Sequence, residues 1–557
     1  MDSLLLIPVL LPVLGGILLL VSSFREHRRT EEKRIFAGGG RGLPVYVCAV
    51  LGFSAVAALG LAWTGERTVT LFTLLDAIPV YFHIDATGRL FVTVVSVIWM
   101  LTAVYSFVYM RHEGEEKRFY GFYLMVYGVL VGFDFSGNLV TMYLFYELTT
   151  LVSMPLVLHN GSREAIMAAL KYLFYSMCGA YGGLFGIFFL YRYCDSLNFA
   201  PGGTLSLAAV QGHEGILLTA IFVMLIGFGT KAGMLPLHAW LPTAHPVAPS
   251  PASAVLSAVI VKSGILAVIR VVYYIVGPDF LRGTWVQRTW MILALLTIFM
   301  GSMLAFREPI FKKRLAYSTV SQVSYIMFGL SLLTVDAFSG ALLHVAAHAV
   351  VKSGLFLTAG VFLYGFGATR VEELVGIGKK IPKTMWCYLI FGLALVGIPP
   401  TCGFVSKWYL AQGALQSPVG IFSWLGPVVL LISALLTAGY LLPVALKGFF
   451  PGEASDLAGK EDELRKVPGS EEGDVFAEDS PEAERLSGME QKSENEHVPG
   501  EAVTESAQVR VKEPAHSMLI PLMILAVLAV LLGVFPGPLI QYVSDIGKMV
   551  LQGTIAG

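Results

Sequence analysis

Long apolar segments, nearly free of charge, recur along the whole chain and limit what it can fold into. A helix that crosses the hydrocarbon core of a membrane needs about 20 mostly apolar residues. The sequence therefore predicts an all-α membrane protein with about 14 transmembrane helices, called spans 1 to 14 below. The approximate segments are 3–22, 44–63, 85–110, 119–134, 137–158, 165–191, 214–236, 250–275, 288–306, 314–334, 337–365, 384–412, 422–447 and 517–543.

The composition supports a membrane protein. Hydrophobic residues make up 55% of the 557 residues and charged residues 14%, whereas ordinary soluble domains contain about 25% charged residues. An aqueous globule could not bury this much apolar surface, so the excess must face lipid. This composition excludes a nucleic-acid-binding protein, a secreted disulfide scaffold and a mainly disordered chain.

The sequence offers no pattern for a cofactor or a metal. Its five cysteines form no C-x-x-C pair, and an iron–sulfur cluster needs about four convergent thiolates. There is also no G-x-G-x-x-G fingerprint after a strand, no P-loop and no G-x-S-x-G motif. We therefore expect no bound cofactor and no metal. If the protein serves a redox machine, it does not carry the electrons.

Charge is segregated along the chain. The block 451–517 contains 18 acidic and 7 basic side chains, a net charge of −11, so the remaining chain carries +10. The block is rich in Glu, Ser, Gly and Pro and cannot bury enough apolar surface to offset its ordering entropy. We expect residues 451–516 to form a mainly disordered acidic insert. A passive linker is the favoured role, and a docking tail for a basic partner is the alternative.

The distribution of basic residues predicts the orientation in the membrane. Short loops after odd-numbered spans hold 18 Lys and Arg residues, and those after even-numbered spans hold 4. Basic residues accumulate on the cytoplasmic side. We therefore expect both termini outside, the acidic insert inside, and a bacterial or archaeal inner membrane as the location. Span 1 has no basic leading region or cleavage site and is interpreted as a retained helix.

Two ionisable residues lie deep within spans 5 and 7. Glu147 is the only formal charge between Asp134 and Arg163, and Lys231 lies between glycines and Pro236. Pro236 should break span 7, and a broken helix at membrane depth is tolerated where it lines a wet cavity. Desolvation favours a neutral amine, whereas a nearby carboxylate favours the ammonium, so this pair could load and release a proton. A structural ion pair or a snorkelling lysine is the alternative.

Further titratable groups follow in spans 8, 11 and 12. Lys262 lies mid-span 8, and Lys407 follows a Pro/Gly break in span 12. His344, His348 and Lys352 recur every four residues on span 11, which places them on one helix face with small neighbours. This ladder is typical of a proton wire. Two histidines at this spacing can also bind a metal, but no Glu or Cys completes such a site.

Two histidines flank the rigid turn between spans 7 and 8. His238 and His245 are candidate relay groups, and hydrogen-bonded structural histidines are an equal alternative. The turn itself contains four prolines between residues 242 and 251.

The matching breaks of spans 7 and 12 suggest an internal repeat. Spans 4–8 and 9–13 form two five-helix units, and an odd number of helices forces opposite orientations, as in an inverted repeat. Each unit carries its lysine, Lys231 or Lys407, on the broken fourth helix. We expect N-terminal helices at 1–118, the repeats at 119–276 and 287–450, the insert at 451–516 and a C-terminal helix within 517–557.

These segments together resemble the antiporter-like membrane subunits shared by respiratory complex I, Mrp-type cation/proton antiporters and energy-converting hydrogenases. The resemblance covers roughly spans 3 to 13. It is carried by the Glu147 segment, Gly229–Pro242, Ala244–Ser250, Lys262–Gly264, Lys313–Ser318, His344–Lys352 and Pro399–Lys407. The turn at 244–250 is most similar to the hydrogenase and complex I branches. Only about 14 residues follow span 14, unlike the largest antiporter-like subunit of complex I, which ends in a long lateral helix.

The resemblance implies a role for each titratable residue. Glu147 and Lys231 match the family's glutamate–lysine pair, Lys262 and the span 11 histidines match the connecting residues, and Lys407 matches the terminal lysine of the exit half. Such proteins move protons, or protons against Na⁺, along the membrane midplane beside other membrane subunits. A redox-driven pump subunit is the first hypothesis. An Mrp-like Na⁺/H⁺ antiporter subunit and a purely structural membrane anchor are the alternatives.

Overall fold

The computed structural model describes residues 2–29, 42–74, 78–451 and 513–552, and within these ranges the chain is mostly helical. The acidic insert lies almost entirely outside the described residues. The main helices are α1 (Ile7–Arg29), α2 (Gly42–Trp63), α3 (Ala86–Glu113), α4 (Glu116–Asp134), α5 (Leu139–Val157), α6 (Arg163–Tyr193), α7a (Glu214–Lys231), α7b (Leu241–Val247), α8 (Ser250–Val276), α9 (Trp285–Arg307), α10 (Phe311–Ser331), α11 (Val335–Phe366), α12a (Pro382–Val396), α12b (Cys402–Leu415), α13 (Phe422–Phe449), α14 (His516–Val534) and α15 (Gly537–Gln552).

Eleven helices in the described part of the chain are long and apolar enough to cross a membrane. The predicted all-α membrane fold is therefore confirmed, whereas the count of 14 spans and the inverted repeat stay predictions. Spans 4, 10 and 12 are not among the eleven. The reasons are visible in the helices: α4 begins and ends with charged residues, α10 is rich in serine and lysine, and α12a has 15 residues.

A β-hairpin precedes α3 and was not predicted. Strands β1 (Thr68–Leu74) and β2 (Ile78–His83) pair antiparallel, with Thr68 opposite His83 and an irregularity between Thr70 and Phe72. The hairpin packs on the neighbouring loops because the hydroxyl of Tyr81 donates to the carbonyl oxygen of Gly137 at 2.9 Å. The β-branched and aromatic residues of 68–83 were the available signal.

Two helices are interrupted inside the bundle, as the prolines predict. The chain leaves helical geometry between Lys231 and Leu241, and again between Val396 and Cys402. Gly397 ends α12a at φ 92°, and its N–H donates to the carbonyl oxygen of Leu393. Only glycine adopts this left-handed conformation without strain. Both breaks leave main-chain carbonyl groups without a helical partner.

The last predicted span ends earlier in the structure than the sequence predicts. Helix α14 stops at Val534, and a separate helix, α15, begins at Gly537. Pro536 lies between them, and Pro538 occupies the second residue of α15, where proline is tolerated. The chain therefore turns nine residues earlier than 543, the end expected from hydropathy alone.

Helices α8 and α11 form the buried centre of the bundle. The most apolar part of α8 is completely buried, and α11 is buried along most of its 32 residues. Helix α11 packs against α3, α10, α12a, α12b and α14. Two stretches of α8, Leu256–Ile260 and Arg270–Val276, are π-helical. Widened turns of this kind are frequent at functional sites, because they leave carbonyl groups available.

Close packing of small residues fixes α7a against α6. A Cβ added at Gly227 would lie 2.4 Å from the carbonyl oxygen of Gly179, and the reverse addition gives 2.5 Å. Transmembrane helices use such small residues to let their backbones approach closely. The contact sets the position of α7a, and so of Lys231 at its end.

We predict that Gly227→Ala destabilises the protein by about 1–3 kcal/mol, because the added methyl group forces α6 and α7a apart. The thermal midpoint of the purified protein in detergent measures this effect. Gly60→Ala is the matched control, since nothing lies within 4 Å of its added Cβ. An unchanged midpoint for Gly227→Ala would contradict the packing argument.

Candidate functional site

The carboxylate of Glu147 and the amine of Lys231 lie at one lateral edge of the bundle. Lys231 is fully buried, and its Nζ donates to the carbonyl oxygen of Tyr146, the residue next to Glu147, at 2.8 Å. The same Nζ lies 3.6 Å from the centre of the Tyr146 ring. Glu147 is partly exposed and accepts a hydrogen bond from Tyr143 at 3.1 Å. The two groups are close enough to interact electrostatically, as the sequence predicted.

Lys262 and His348 meet in the centre of the bundle. Lys262 Nζ lies 2.5 Å from His348 Nδ1 and donates to the carbonyl oxygen of Ser257 at 2.8 Å. Ser257 belongs to the first π-helical stretch of α8, which explains why its carbonyl can accept a side-chain donor. His348 Nε2 has no partner among the described residues. Buried polar atoms of this kind usually bind ordered water.

Lys352 lies one helical turn after His348 and binds helix α10. Its Nζ donates to the carbonyl oxygen of Leu315 at 2.9 Å and to the hydroxyl of Ser318. Lys352 is fully buried and interacts electrostatically with Lys262 and His348. The predicted ladder on α11 therefore faces α8 and α10 rather than lipid.

The ladder approaches Lys407 at its other end. His344 Nδ1 is hydrogen-bonded to the hydroxyl of Ser406 at 2.9 Å, and its ring stacks on Tyr325 with centroids 5.5 Å apart. Lys407 Nζ lies 5.0 Å from the Tyr325 ring and donates to the carbonyl oxygens of Leu395 and Val396 at 2.6 and 3.0 Å. These are terminal carbonyls of α12a, where a cation is stabilised by the helix dipole.

The two flanking histidines have different surroundings. His245 is fully buried, stacks on Phe356 and has no partner for either ring nitrogen among the described residues. It interacts electrostatically with Lys312 and Lys352. His238 is partly buried in the α7 break and contacts the Pro236 main chain. His245 therefore lies within electrostatic reach of Lys352, and His238 within electrostatic reach of Lys171 on α6.

The seven predicted residues, called the series below, fall into two groups of interacting side chains. Glu147 and Lys231 form one group, and Lys262, His348, Lys352, His344 and Lys407 form the other. Direct contact joins Lys262 to His348, and the His344 and His348 ring centres lie 6.1 Å apart. The described part of the chain contains no group of three His, Cys, Asp or Glu residues able to hold a metal.

The comparisons with known proteins cover the segment of the chain that contains these residues. Residues 136–437 match the family described as "NADH:quinone oxidoreductase/Mrp antiporter, TM". The chain belongs to this family. The matched region contains every residue of the series.

Three relatives show how far the likeness extends. The chain is 36% identical over 374 residues to NADH-quinone oxidoreductase subunit N of Desulforudis audaxviator, covering 66% of this chain and 72% of that protein. It is 34% identical to hydrogenase-4 component B of Escherichia coli, covering 59% of this chain and half of that protein. The Mrp complex from Dietzia sp. DQ12-45-1b contains a chain with the same fold, at a TM-score of 0.76, 22% identity and coverage of 99% and 98%.

The sequence analysis did not predict the neutral groups that bind the lysines and His344. Lys262 and Lys352 donate to the carbonyl oxygens of Ser257 and Leu315 and to the hydroxyl of Ser318. His344 is hydrogen-bonded to the hydroxyl of Ser406. A signal was present in α10, whose serines, threonine and glutamine between residues 318 and 324 are buried. Polar residues concentrated on a buried helix indicate a polar interior.

Another buried charge cluster was also missed. Arg270, in the second π-helical stretch of α8, forms a bidentate salt bridge with Asp85, and its guanidinium lies 4.6 Å from the Tyr274 ring centre. Asp134 interacts electrostatically with Arg270. This cluster joins α3, α4 and α8 away from the series.

We predict that Lys262→Met leaves the thermal midpoint in detergent unchanged or raises it. A buried cation carries a desolvation cost, and an apolar side chain of similar shape removes that cost. Arg270→Met is the comparison, because it leaves Asp85, which is only 16% exposed, without its partner. This variant should lower both the midpoint and the stability, the latter by about 3–5 kcal/mol. A clear loss of stability in Lys262→Met would support the structural-anchor alternative.

Proposed function

We propose that this chain is a proton-translocating membrane subunit of a multisubunit, redox-driven ion pump of the NADH-quinone oxidoreductase or energy-converting hydrogenase type. The proposal depends most on the direct contact between Lys262 and His348. Two titratable groups at 2.5 Å in the middle of the bundle can exchange a proton without any large movement. Protons would pass among Glu147, Lys231, Lys262, His348, Lys352, His344 and Lys407.

Neutral partners make the exchange reversible. Each lysine of the series donates to a carbonyl or hydroxyl oxygen, which binds the charged amine without fixing its charge. A carboxylate in contact would hold the proton more firmly. Glu147 is the carboxylate of the series, and it lies at the edge, where it can act on Lys231 without trapping the inner lysines.

The series is open at both lateral ends. Glu147 and Lys407 are partly exposed on opposite ends of the series, whereas the groups between them are buried. Charges facing lipid are costly. We infer that neighbouring membrane subunits cover both ends and exchange charge with them. The redox reaction that drives the pump would occur in other subunits.

Two candidate functions differ in the source of energy that drives proton movement. The relatives above 30% identity are named as parts of an oxidoreductase and a hydrogenase, which favours redox drive. The shared fold of the Dietzia chain favours an Mrp-like Na⁺/H⁺ antiporter subunit as second candidate. In both cases we propose cytoplasmic odd-numbered loops, external termini, two inverted five-helix repeats and an acidic insert on the cytoplasmic side.

We predict that Lys231→Ala lowers proton flux by about a hundredfold, the lower range for removing a positioned proton-transfer group. The measurement uses the complete complex in proteoliposomes with a pH-sensitive dye, driven by its own electron donor. Lys447→Ala is the control, since Lys447 is exposed at the end of α13 and should leave flux unchanged. Full flux in assembled Lys231→Ala would refute proton transfer through this residue.

The proteins that co-purify with this chain decide between a redox-driven pump subunit and an Mrp-like antiporter subunit. We expect an affinity-tagged chain to co-purify with flavin, iron–sulfur or hydrogenase subunits, which mass spectrometry identifies. Recovery with small antiporter subunits, together with proton flux driven by a Na⁺ gradient alone, would instead establish the second candidate.

A further inference from the structure

Two lysines of the series lie over the face of a tyrosine ring. Lys231 Nζ is 3.6 Å from the ring centre of Tyr146, and Lys407 Nζ is 5.0 Å from the ring centre of Tyr325. Both tyrosines are fully buried. The face of an aromatic ring is negative, and a cation within about 6 Å of its centre is attracted to it. Each tyrosine is therefore placed to bind the charged form of its lysine.

The two rings occupy matching places in the chain. Tyr146 lies on α5 and Tyr325 on α10, the second helices of the two predicted repeats, and their lysines lie on α7a and α12b, beside the helix breaks. The other lysines of the series, Lys262 and Lys352, lie on α8 and α11. Neither takes part in the ring–cation contacts of the described residues. An aromatic partner thus distinguishes the two lysines at the breaks.

A tyrosine ring is a partner that Lys231 and Lys407 share, whereas a carboxylate is not. Glu147 interacts electrostatically with Lys231, but no salt bridge of the described residues involves Lys407. Lys407 instead has the terminal carbonyl oxygens of α12a and the Tyr325 ring. A ring face attracts an ammonium group without taking its proton. The ring is therefore the feature common to both breaks that favours a charged lysine.

The Tyr325 ring also contacts the histidine ladder. It stacks on His344 with 5.5 Å between the centroids and 20° between the planes, and its hydroxyl donates to the carbonyl oxygen of Leu430 at 2.9 Å. The hydrogen bond to α13 fixes the ring between His344 and Lys407. One ring therefore contacts two titratable groups of the series, and the same π electrons stabilise a positive charge on either of them.

Tyr146 is held by aromatic neighbours. Its ring lies edge to face with Phe228, with centroids 5.1 Å apart, and 6.4 Å from Phe133, whereas its hydroxyl has no partner among the described residues. The carbonyl oxygen of the same residue accepts a hydrogen bond from Lys231 Nζ at 2.8 Å. The ring and the main chain of one residue thus hold the amine together. A role in packing alone would require the shape of this ring but not its electron density.

We propose that Tyr146 and Tyr325 are positioning residues for proton transfer, whose ring faces bind and orient the ammonium forms of Lys231 and Lys407. The inference rests on the proposed function and adds the groups that favour loading of the two lysines at the breaks. A desolvated contact of this kind favours the cation by about tenfold or more. Because a neutral ring attracts a cation less strongly than a carboxylate does, the lysine can still release its proton.

Fluorinated phenylalanines test the electron density of each ring while keeping its shape. Phenylalanine with one, two or three ring fluorines replaces Tyr146 or Tyr325, and proton flux of the complete complex is measured in proteoliposomes over a range of pH. Fluorine withdraws electrons from the ring face, so we expect flux to fall stepwise to about a tenth of that of Tyr146→Phe or Tyr325→Phe. The loss should be largest at alkaline pH, where loading of the lysines limits flux. Equal flux at every fluorine number would overturn the proposal for that lysine.

The other titratable groups near the two lysines stay the same throughout a fluorine series. Glu147 interacts electrostatically with Lys231, and His344 and His348 interact electrostatically with Lys407. Their charges contribute equally to every member of the series. A stepwise change in flux therefore reports on the ring face.

A conservative variant and a matched tyrosine provide the controls. Tyr146→Phe and Tyr325→Phe retain the ring and should keep most of the flux, whereas Tyr146→Leu and Tyr325→Leu remove it and should lower flux about tenfold. Tyr273 is the matched residue for fluorination, because it is fully buried, lies edge to face with Phe338 and donates to a carbonyl oxygen at 2.6 Å. None of the ring–cation contacts of the described chain involves it. Fluorinated variants at 273 should match Tyr273→Phe, and an equal stepwise loss there would overturn the proposal.

Lys231→Ala, measured in the same vesicles, separates the role of the rings from the proposed function. If Lys231→Ala loses flux and the fluorinated variants at 146 and 325 do not, the transport function stands and the role of the rings is wrong. If Lys231→Ala retains full flux, the proposed function is wrong, and so is the role of the rings.

Discussion

Four lysines inside the described bundle, three of them buried and one partly exposed, are each bound by a neutral oxygen of the main chain. Lys231, Lys262, Lys352 and Lys407 all donate to carbonyl groups. Two of these acceptors lie at irregular helix positions: the end of α12a serves Lys407, and a π-helical stretch serves Lys262. The other two, Tyr146 and Leu315, lie within α5 and α10. A neutral acceptor also allows each amine to exist with or without its extra proton.

Burial of α8 and α11 gives these groups their common environment. Both helices are shielded from lipid on almost every side. Polar atoms without partners among the described residues, such as the Nε2 atoms of His344 and His348, are positions that ordered water would occupy. The surrounding apolar side chains limit that water to the spaces between titratable groups. In the proposed function, dry packing around hydrated contacts would direct a proton along the titratable groups.

The sequence predicted the parts of this site that depend on local chemistry. Prolines located both helix breaks, a four-residue spacing placed His344, His348 and Lys352 on one face, and isolated charges in apolar segments identified the series. It did not predict the π-helical stretches, the carbonyl partners or the β-hairpin at 68–83. Those features depend on which helices become neighbours. Every residue has a main-chain carbonyl group, so the sequence does not show which of them a lysine side chain will meet.

The spacing of the titratable groups limits how many protons the series can hold. The rings of His344 and His348 lie 6.1 Å apart, so two positive charges there would repel by about 3 kcal/mol at an effective dielectric constant of about 20. A cost of this size disfavours double occupancy by about a hundredfold. A proton arriving at one group therefore promotes departure from its neighbour. The same argument applies to Lys262 and Lys352, which interact electrostatically, so in the proposed function a proton that enters this group would promote departure of another without a large conformational change.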